Sequence, residues 1–239
     1  MIIFPAIDIR GGKCVRLLKG DFNNITQYEK SPIDQANEFV DLGFNNIHMI
    51  DLDGALENKF NNENIIKEIS KINNLKIQIG GGIRNLDHVK KFLDFGVEKV
   101  ILGTAAIENI EFLKKASDKF NNKIALSVDV RDGYLALSAW KKQTKILATD
   151  FIKKIININI ARIIYTDINR DGTKSGPNLK ETVNLSNLIK IPTVISGGIS
   201  SIDDVINIKK GKFNNIEGVI IGKAIYDGNI DIKKLSEII

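Results

Sequence analysis

Gly80-Gly81-Gly82-Ile83-Arg84 and Ser196-Gly197-Gly198-Ile199-Ser200 are two copies of one short motif, and their glycine pairs lie 116 residues apart (197 − 81) in a chain of 239. Each pair follows an apolar run and precedes a helical pattern. A glycine turn in that context directs backbone N–H groups toward an anion at the start of a helix. The repeated turn therefore predicts one site with two similar ends, and the simplest ligand for it carries two phosphates.

A second pair of segments repeats at nearly the same distance. Ile101-Leu102-Gly103-Thr104-Ala105-Ala106-Ile107 returns as Ile220-Ile221-Gly222-Lys223-Ala224-Ile225, with the glycines 119 residues apart (222 − 103). Asp8 returns as Asp129, 121 residues later (129 − 8). Each distance is close to half of the chain length, so the sequence predicts a protein made of two similar halves.

Short apolar runs alternate with longer amphipathic segments along the whole chain, which is the pattern of β/α units. The predicted strands are residues 2–8, 46–51, 76–80, 99–103, 123–129, 162–167, 192–196 and 218–222. The predicted helices are residues 32–42, 63–71, 87–95, 110–120, 149–156, 178–188, 202–210 and 231–238. Eight such units in 239 residues favour a closed parallel barrel over an open doubly wound sheet. We therefore predict an α/β protein, a single (β/α)8 TIM-barrel domain over residues 1–239, built from two duplicated half-barrels.

The composition limits the classes of partner and compartment. The chain is 43% hydrophobic and 26% charged, enough for a sizeable core, and its net charge of +5 fits an anionic small molecule. Its 34 basic residues are spread along helical stretches, which is typical of a solvated surface rather than a nucleic-acid interface. No apolar run is long enough to cross a membrane, and the first residues lack a secretory signal. We expect a monomeric cytoplasmic protein that binds neither nucleic acid nor membrane.

Cysteine and histidine are too scarce to predict a disulfide or a metal site. The chain holds one cysteine, Cys14, and two histidines, His48 and His88. We expect Cys14 to pack within a loop, His48 to be buried in a strand and His88 to be exposed on a helix.

Four aspartates, Asp8, Asp51, Asp129 and Asp167, fall at the ends of predicted strands, where barrel enzymes carry their chemistry. A strand-end aspartate can instead cap the next helix, so one of them alone does not indicate a function. Because Asp8 ends the first strand and Asp129 the fifth, a closed eight-stranded barrel places them on opposite sides of its mouth. Opposed carboxyls, one ionised and one protonated, suit a reaction that removes a proton and returns one.

Several motifs in a fixed order make a resemblance specific. They are Pro5-Ala6-Ile7-Asp8, Val15-Arg16-Leu17 with Gly20-Asp21, Ile50-Asp51-Leu52-Asp53-Gly54-Ala55, Gly80-Gly81-Gly82-Ile83-Arg84, Thr166-Asp167-Ile168-Asn169-Arg170-Asp171-Gly172-Thr173 and Ser196-Gly197-Gly198-Ile199. From the first strand to the last, the chain resembles the phosphoribosylformimino-5-aminoimidazole carboxamide ribotide isomerases of histidine biosynthesis. That family has the duplicated (β/α)8 barrel, and its substrate carries a phosphoribosyl group at each end.

The resemblance implies an Amadori rearrangement, in which an aminoaldose becomes an aminoketose without a metal or an organic cofactor. It makes Asp8 the general base and Asp129 the general acid. Thr166 and Asp171 match family positions that support these two carboxyls, by hydrogen bonding and by holding the reacting ribose.

The two phosphates of the substrate are expected in the two glycine systems. The first consists of Gly81, Gly82, Gly103 and Thr104, and the second of Gly172, Gly197, Gly198, Gly222 and Lys223. Glycine is needed there because a side chain would keep the phosphate away from the backbone donors.

Two long loops, residues 9–31 and 130–147, are expected to close over the ligand. Arg16 and Gly20 of the first loop are predicted to bind substrate. Arg84 and Trp140 match family residues that contact or stack on the central part of the substrate. Trp140 could instead anchor its own loop.

Three other functions remain open. The cyclase subunit of imidazole glycerol phosphate synthase shares the barrel and both aspartates, but it differs at the start of the chain and at Thr166-Asp167. A dual isomerase would also accept phosphoribosylanthranilate. A non-catalytic phosphosugar-binding barrel would need the glycine pairs but no carboxyl facing the sugar.

Overall fold

The computed structural model describes residues 1–57 and 60–239. The strands in this part of the chain are β1 (Ile2–Arg10), β2 (Lys13–Leu18), β3 (Asp21–Gln27), β4 (Asn46–Asp51), β5 (Lys76–Gly80), β6 (Lys99–Leu102), β7 (Ile124–Arg131), β8 (Tyr134–Leu137), β9 (Lys142–Leu147), β10 (Arg162–Asp167), β11 (Thr193–Ser196) and β12 (Ile216–Ile221). The helices are α1 (Pro32–Asp41), α2 (Leu52–Glu57), α3 (Glu63–Ile69), α4 (Leu86–Asp94), α5 (Thr104–Glu108), α6 (Ile110–Lys119), α7 (Ala148–Ile155), α8 (Leu179–Asn187), α9 (Ile202–Gly211), α10 (Lys223–Tyr226) and α11 (Ile232–Ser236).

Eight of these strands form a closed parallel barrel in the order β1, β4, β5, β6, β7, β10, β11 and β12. Strand β12 pairs back onto β1, with Ile2 opposite Gly218, which closes the ring. All eight predicted strands and all eight predicted helices are present, with ends that differ by a few residues. The predicted (β/α)8 fold is therefore confirmed.

The barrel separates two apolar layers. Phe4 and Ala6 of β1 point into the barrel, where they pack with small and branched side chains such as Ile164 and Val194. Neighbouring residues on each strand point outward and pack against the helices, because successive side chains of a strand face opposite sides. None of the helices in the described ranges has the length and apolar character needed to cross a membrane.

The two segments predicted as long loops are antiparallel strand extensions. Strand β1 continues to Arg10 and pairs with β2, which pairs with β3, and β7 continues to Arg131 and pairs with β8, which pairs with β9. Their two-residue turns, Gly11-Gly12 and Asp132-Gly133, have positive φ at both positions. This is the backbone that a type I′ hairpin needs. Both dipeptides are sequence signals for a hairpin, so the loop prediction overlooked information that was present.

Candidate active site

The carboxyl ends of the barrel strands surround a cavity of about 690 Å³. Its wall contains all four residues predicted to move or support protons: Asp8, Asp129, Thr166 and Asp171. It also contains all residues predicted to bind substrate: Arg16, Gly20, Gly81, Gly82, Arg84, Gly103, Thr104, Trp140, Gly172, Gly197, Gly198, Gly222 and Lys223. One cavity therefore brings the predicted residues together, while their individual roles remain predictions.

Asp8 lies on β1 beside a fixed cation. The hairpin after β1 returns Arg16 to this point, and its Nη1 donates a hydrogen bond to Asp8 Oδ2 at 2.7 Å. Arg16 also donates to the carbonyl of Ala6, which accepts from the Tyr226 hydroxyl at 2.9 Å. Burial raises the pKa of Asp8, and the charge and hydrogen bond of Arg16 oppose that rise.

Asp129 lies on β7, four strands from β1 in the ring of eight, and thus across the barrel from Asp8. Ser127 Oγ donates to Asp129 Oδ1 at 2.8 Å. Burial raises the pKa of Asp129, and hydrogen bonds from the side chains of Trp140, Ser127 and Thr166 oppose the rise. The donors named here are neutral, whereas the donor to Asp8 is a cation.

Asp171 follows β10 and is a third carboxyl in the same cavity. Burial raises its pKa to about 7, and the charges of Asp8 and Asp129 act in the same direction. Arg16 and Lys223 partly offset this rise. Because the charges of both other carboxyls raise the pKa of Asp171, the three acids form one electrostatically coupled group.

The two glycine turns are packed against the backbone in the same way. Gly81 has φ +110° and Gly197 has φ +90°. A Cβ on Gly81 would collide with the carbonyl of Asp51, and a Cβ on Gly197 would lie 2.7 Å from the carbonyl oxygen of Asp167. Both conformation and space therefore require glycine at these positions. The origin of the two halves by duplication remains a prediction from the sequence.

Asp51 and Asp167 are not part of the cavity wall, and their side chains bind the segments that follow their own strands. Asp51 Oδ1 accepts hydrogen bonds from the backbone N–H of Gly54 at 3.1 Å and from Asn62 Nδ2 at 2.7 Å. Asp167 Oδ2 accepts from Asn178 Nδ2 at 2.7 Å. The structural alternative holds for Asp51, whose Oδ1 accepts from the backbone N–H groups of Asp53 and Gly54 in the first turn of α2. Asp167 Oδ1 likewise accepts from the backbone N–H of Asn169, in the turn after β10.

Sequence reasoning did not identify Asn62 and Asn178, yet they are 116 residues apart (178 − 62), the distance between the glycine pairs. Comparing the chain with itself at that offset would have found them. It also missed Ser127 and Ser138, which line the cavity. The Ser138 backbone N–H donates to Thr104 Oγ1 at 2.8 Å, which ties the second hairpin to one of the predicted phosphate sites.

The two hairpins meet above the cavity. Gly20, in the β2–β3 turn, has φ +71°, and a Cβ there would collide with the indole ring of Trp140 from the β8–β9 turn. Ser138, Ala139 and Trp140 all have positive φ, between +53° and +66°. This backbone directs the indole toward Asp129 and Gly20, so Trp140 is held by partners in both hairpins.

The fold gives the single cysteine and the two histidines three different surroundings. Cys14 is buried in β2 rather than in a loop, and burial raises the pKa of its thiol to about 11. His48 is buried on β4, as predicted, and also lines the cavity. His88 is only partly exposed on α4, because its ring packs edge-on against Phe60 at 4.8 Å between centroids. Among residues 1–57 and 60–239, no group of three or more His, Cys, Asp or Glu side chains is arranged to hold a metal ion.

Known proteins match this chain over nearly its whole length. The model of a family described as "Histidine biosynthesis protein" matches residues 2–231. A protein of Pelagibacter ubique is 57% identical over 236 residues, which cover 98% of each chain. A protein of Oceanobacillus iheyensis is 44% identical over 237 residues, covering 99% of this chain and 98% of the relative. A protein of Ruminiclostridium cellulolyticum is 42% identical over 234 residues, covering 98% of each.

These three relatives share one name, 1-(5-phosphoribosyl)-5-((5-phosphoribosylamino)methylideneamino)imidazole-4-carboxamide isomerase. The resemblance predicted from the motifs is thereby confirmed. With matches of this extent, the chain belongs to the histidine biosynthesis protein family.

Proposed function

We propose that the chain is a carboxamide isomerase like its relatives, and that it converts the aminoaldose phosphoribosylformimino-5-aminoimidazole carboxamide ribotide to the corresponding aminoketose by an Amadori rearrangement. The observation that carries the proposal is the pair Asp8 and Asp129, on opposite strands of one cavity whose ends are formed by the two glycine systems. A substrate with two phosphates would span the cavity and expose its reacting ribose to both carboxyls.

In the proposed reaction, Asp129 gives a proton to the furanose oxygen as the bond from that oxygen to C1 breaks. The ring opens to a Schiff base. Asp8 then removes the proton from C2, which gives an enolamine. Protonation at C1 and loss of the hydroxyl proton at C2 produce the ketose, so the reaction needs proton transfers only.

The environments of the two carboxyls support this division of roles. Arg16 favours the ionised form of Asp8, which suits a base. The hydrogen bonds to Asp129 that oppose its raised pKa come from neutral side chains, so a proton is retained there more readily, which suits an acid. Asp171, with a pKa raised to about 7, adds a third carboxyl that can hold the ribose or share a proton.

The second proposed phosphate site combines bare backbone with positive charge. Gly103 and Gly222 have similar backbone angles, with φ near −120° and −112°. A Cβ on Gly222 would lie 3.0 Å from Arg16 Cζ, so the guanidinium reaches from Asp8 toward the second glycine system. Lys223 lies beside it in the same wall. An anionic group is therefore favoured at this end of the cavity.

The test is to incubate the purified protein with the aminoaldose and to follow formation of the aminoketose. We expect turnover without added metal. Parallel reactions with the cyclase substrate plus ammonia, and with phosphoribosylanthranilate, test the cyclase and the dual isomerase. Turnover of the cyclase substrate without isomerase activity would overturn the proposal, and tight binding without any turnover would favour a phosphosugar-binding barrel.

A further inference from the structure

Below the carboxyls, the inside of the barrel holds a chain of polar side chains that the proposed mechanism does not use. Glu217 of β12 accepts two hydrogen bonds from Arg162 of β10, from Nε and from Nη2, each at 2.6 Å. Arg162 Nη1 donates to Gln78 Oε1 at 2.7 Å. Gln78 Nε2 lies 3.2 Å from His48 Nδ1. The chain thus runs from the amino-terminal end of the barrel to the floor of the cavity, which His48 lines.

The hydrogen bonds in this chain can run in one direction only. A guanidinium has donors and no acceptor, so the group that faces Arg162 must be the carbonyl oxygen of Gln78. The amide nitrogen of Gln78 then faces His48, and an amide nitrogen can only donate. His48 Nδ1 must therefore accept, which leaves it without a proton. A neutral imidazole with an unprotonated Nδ1 carries its proton on Nε2.

His48 lines the cavity, and with Nδ1 engaged by Gln78 the Nε2 nitrogen is the one that remains to bind a ligand. Strand register places His48 beside Ala6, one inward-facing position below the level of Asp8 and Ile50. Burial, together with the charges of Arg16 and Arg162, lowers the pKa of His48 to about 3. The ring is therefore neutral at ordinary pH, with one N–H available beneath the two carboxyls.

We propose that Glu217, Arg162 and Gln78 are positioning residues that hold His48 in its Nε2–H form, so that a neutral imidazole donates a hydrogen bond to an oxygen of the reacting sugar. The inference rests on the proposed function, because it needs a sugar oxygen at the cavity floor. A neutral N–H stabilises negative charge that develops on oxygen without adding a cation to compete for Asp8. An imidazole in the other form would present a lone pair on Nε2, which can accept from a sugar hydroxyl but cannot donate to an oxygen that gains negative charge.

The first test is the tautomer itself, read in the ligand-free protein by long-range 1H–15N NMR correlations of the imidazole rings. The chain has two histidines, so the variant His88→Gln assigns the signals of His48. We expect His48 to show an unprotonated Nδ1 and a protonated Nε2. A protonated Nδ1 in the unsubstituted protein would overturn the proposal, whatever the enzyme's activity.

The second test uses Gln78→Glu to reverse the direction of the hydrogen bond between residue 78 and His48. The new carboxylate still accepts from Arg162, but its other oxygen can only accept from His48, so Nδ1 must take up a proton. We expect the NMR signals to show that change and kcat to fall about 100-fold, the usual scale for a lost transition-state donor. We expect KM to change less than kcat.

Two controls separate positioning from stability. Gln78→Met removes the hydrogen bonds to Arg162 and His48 without forcing a tautomer. We therefore expect both tautomers of His48 and a smaller fall in kcat than for Gln78→Glu. Asn73→Asp makes the same amide-to-carboxylate change at an exposed turn before β5 and should leave kcat unaltered. A reversed tautomer with unchanged kcat would overturn the proposal. If Gln78→Glu fails to fold, equal kcat for Gln78→Met and the unsubstituted protein would do so. Absence of isomerase activity in the unsubstituted protein would instead overturn the proposed function.

Discussion

Arg16 Nη1 donates to Asp8 Oδ2 at 2.7 Å, and this ion pair distinguishes Asp8 from the matching carboxyl across the barrel. Both partners are largely shielded from solvent, with side-chain exposures of 8% and 17%. The charge of Arg16 therefore acts on Asp8 with little screening. The hairpin β1–β2 creates this relationship, because it returns the chain to the point where the first barrel strand ends.

Removal of the Arg16 charge should shift the pH dependence of the reaction. Arg16 holds the pKa of Asp8 down, so Arg16→Met raises it, and a general base must be ionised to act. We expect the rising acidic limb of the kcat/KM profile to move about 1–3 pH units toward higher pH. Arg16→Lys restores the charge and should restore most of that shift. An unmoved limb in Arg16→Met would show that Asp8 is not the base that the profile reports.

The two opposed carboxyls should be needed for turnover but not for binding. We expect Asp8→Asn and Asp129→Asn each to lower kcat by at least about 100-fold, the usual scale for loss of general acid–base help. Substrate affinity should stay within about tenfold, because the phosphates supply most of the attraction. Calorimetric titration and steady-state kinetics measure the two quantities. Unchanged turnover in either variant would remove that residue from the mechanism.

Asp171 should make the ligand-free protein less stable as pH rises. Its pKa is raised to about 7 in the folded state, against about 3.9 in an unfolded chain, so the folded state binds the proton more tightly. Its favourable contribution to the free energy of unfolding is thus complete below pH 4 and is lost as pH rises to 7. We expect Asp171→Asn to be more stable than the unsubstituted protein at pH 8, by about 1–3 kcal/mol after screening in the open cavity.

Denaturant unfolding between pH 4 and pH 8 measures this difference, which should shrink as pH falls. Asp118→Asn, at an exposed position of α6, provides the control and should show no such trend. A stability gain for Asp171→Asn that is equal at all pH values would point to packing rather than to charge.

Asn62 and Asn178 should stabilise the segments that follow β4 and β10 to different degrees. Each donates to a strand-end aspartate at 2.7 Å, but Asn62 is buried and also accepts from the backbone N–H of Gly12 at 2.9 Å. We expect Asn178→Ala to lower the free energy of unfolding by about 1.5–3 kcal/mol, the scale for a hydrogen bond to a charged group. Asn62→Ala should cost more. The reverse order would mean that burial and the bond to Gly12 do not add to the contribution of Asn62.

The sequence could predict what is local and repeated. The glycine pairs, Asp8 and Asp129 recur at nearly constant offsets, so pattern alone assigned them to the same end of the barrel. The hydrogen-bonded series of side chains Glu217, Arg162 and Gln78 could not be predicted in this way. Its members come from different strands and meet only because the ring closes, and a polar residue inside a barrel strand has no periodic signature.

The hairpins show a different limit. Their turns carry the residues of a type I′ hairpin, and the strands β2 and β8 that follow them are largely buried. The outer strands β3 and β9 are polar and exposed, so apolar alternation does not reveal them. The contact between Gly20 and Trp140 depends on both hairpins reaching across the mouth, which no local pattern encodes.

The contact between Gly20 and Trp140 can be tested by fluorescence, because Trp140 is the chain's single tryptophan and its emission depends on its surroundings. In Gly20→Ala, the added Cβ collides with the indole ring and must displace it from Asp129. We expect a shifted fluorescence emission and about a tenfold loss in kcat/KM, the lower end of what a misplaced substrate contact costs. Trp140→Phe keeps an aromatic face without the indole N–H, and should lose less activity than Trp140→Ala if stacking is the main role.

Gly228→Ala is the matched control for backbone strain. Gly228 has φ +72°, nearly the φ of Gly20, but a Cβ there meets nothing within 4 Å. Both variants should therefore lose similar stability from the left-handed backbone, about 1 kcal/mol. Only Gly20→Ala should also change the emission of Trp140 and the kinetics. If the two variants behave alike in fluorescence and in kcat/KM, the contact between the hairpins does not position the indole.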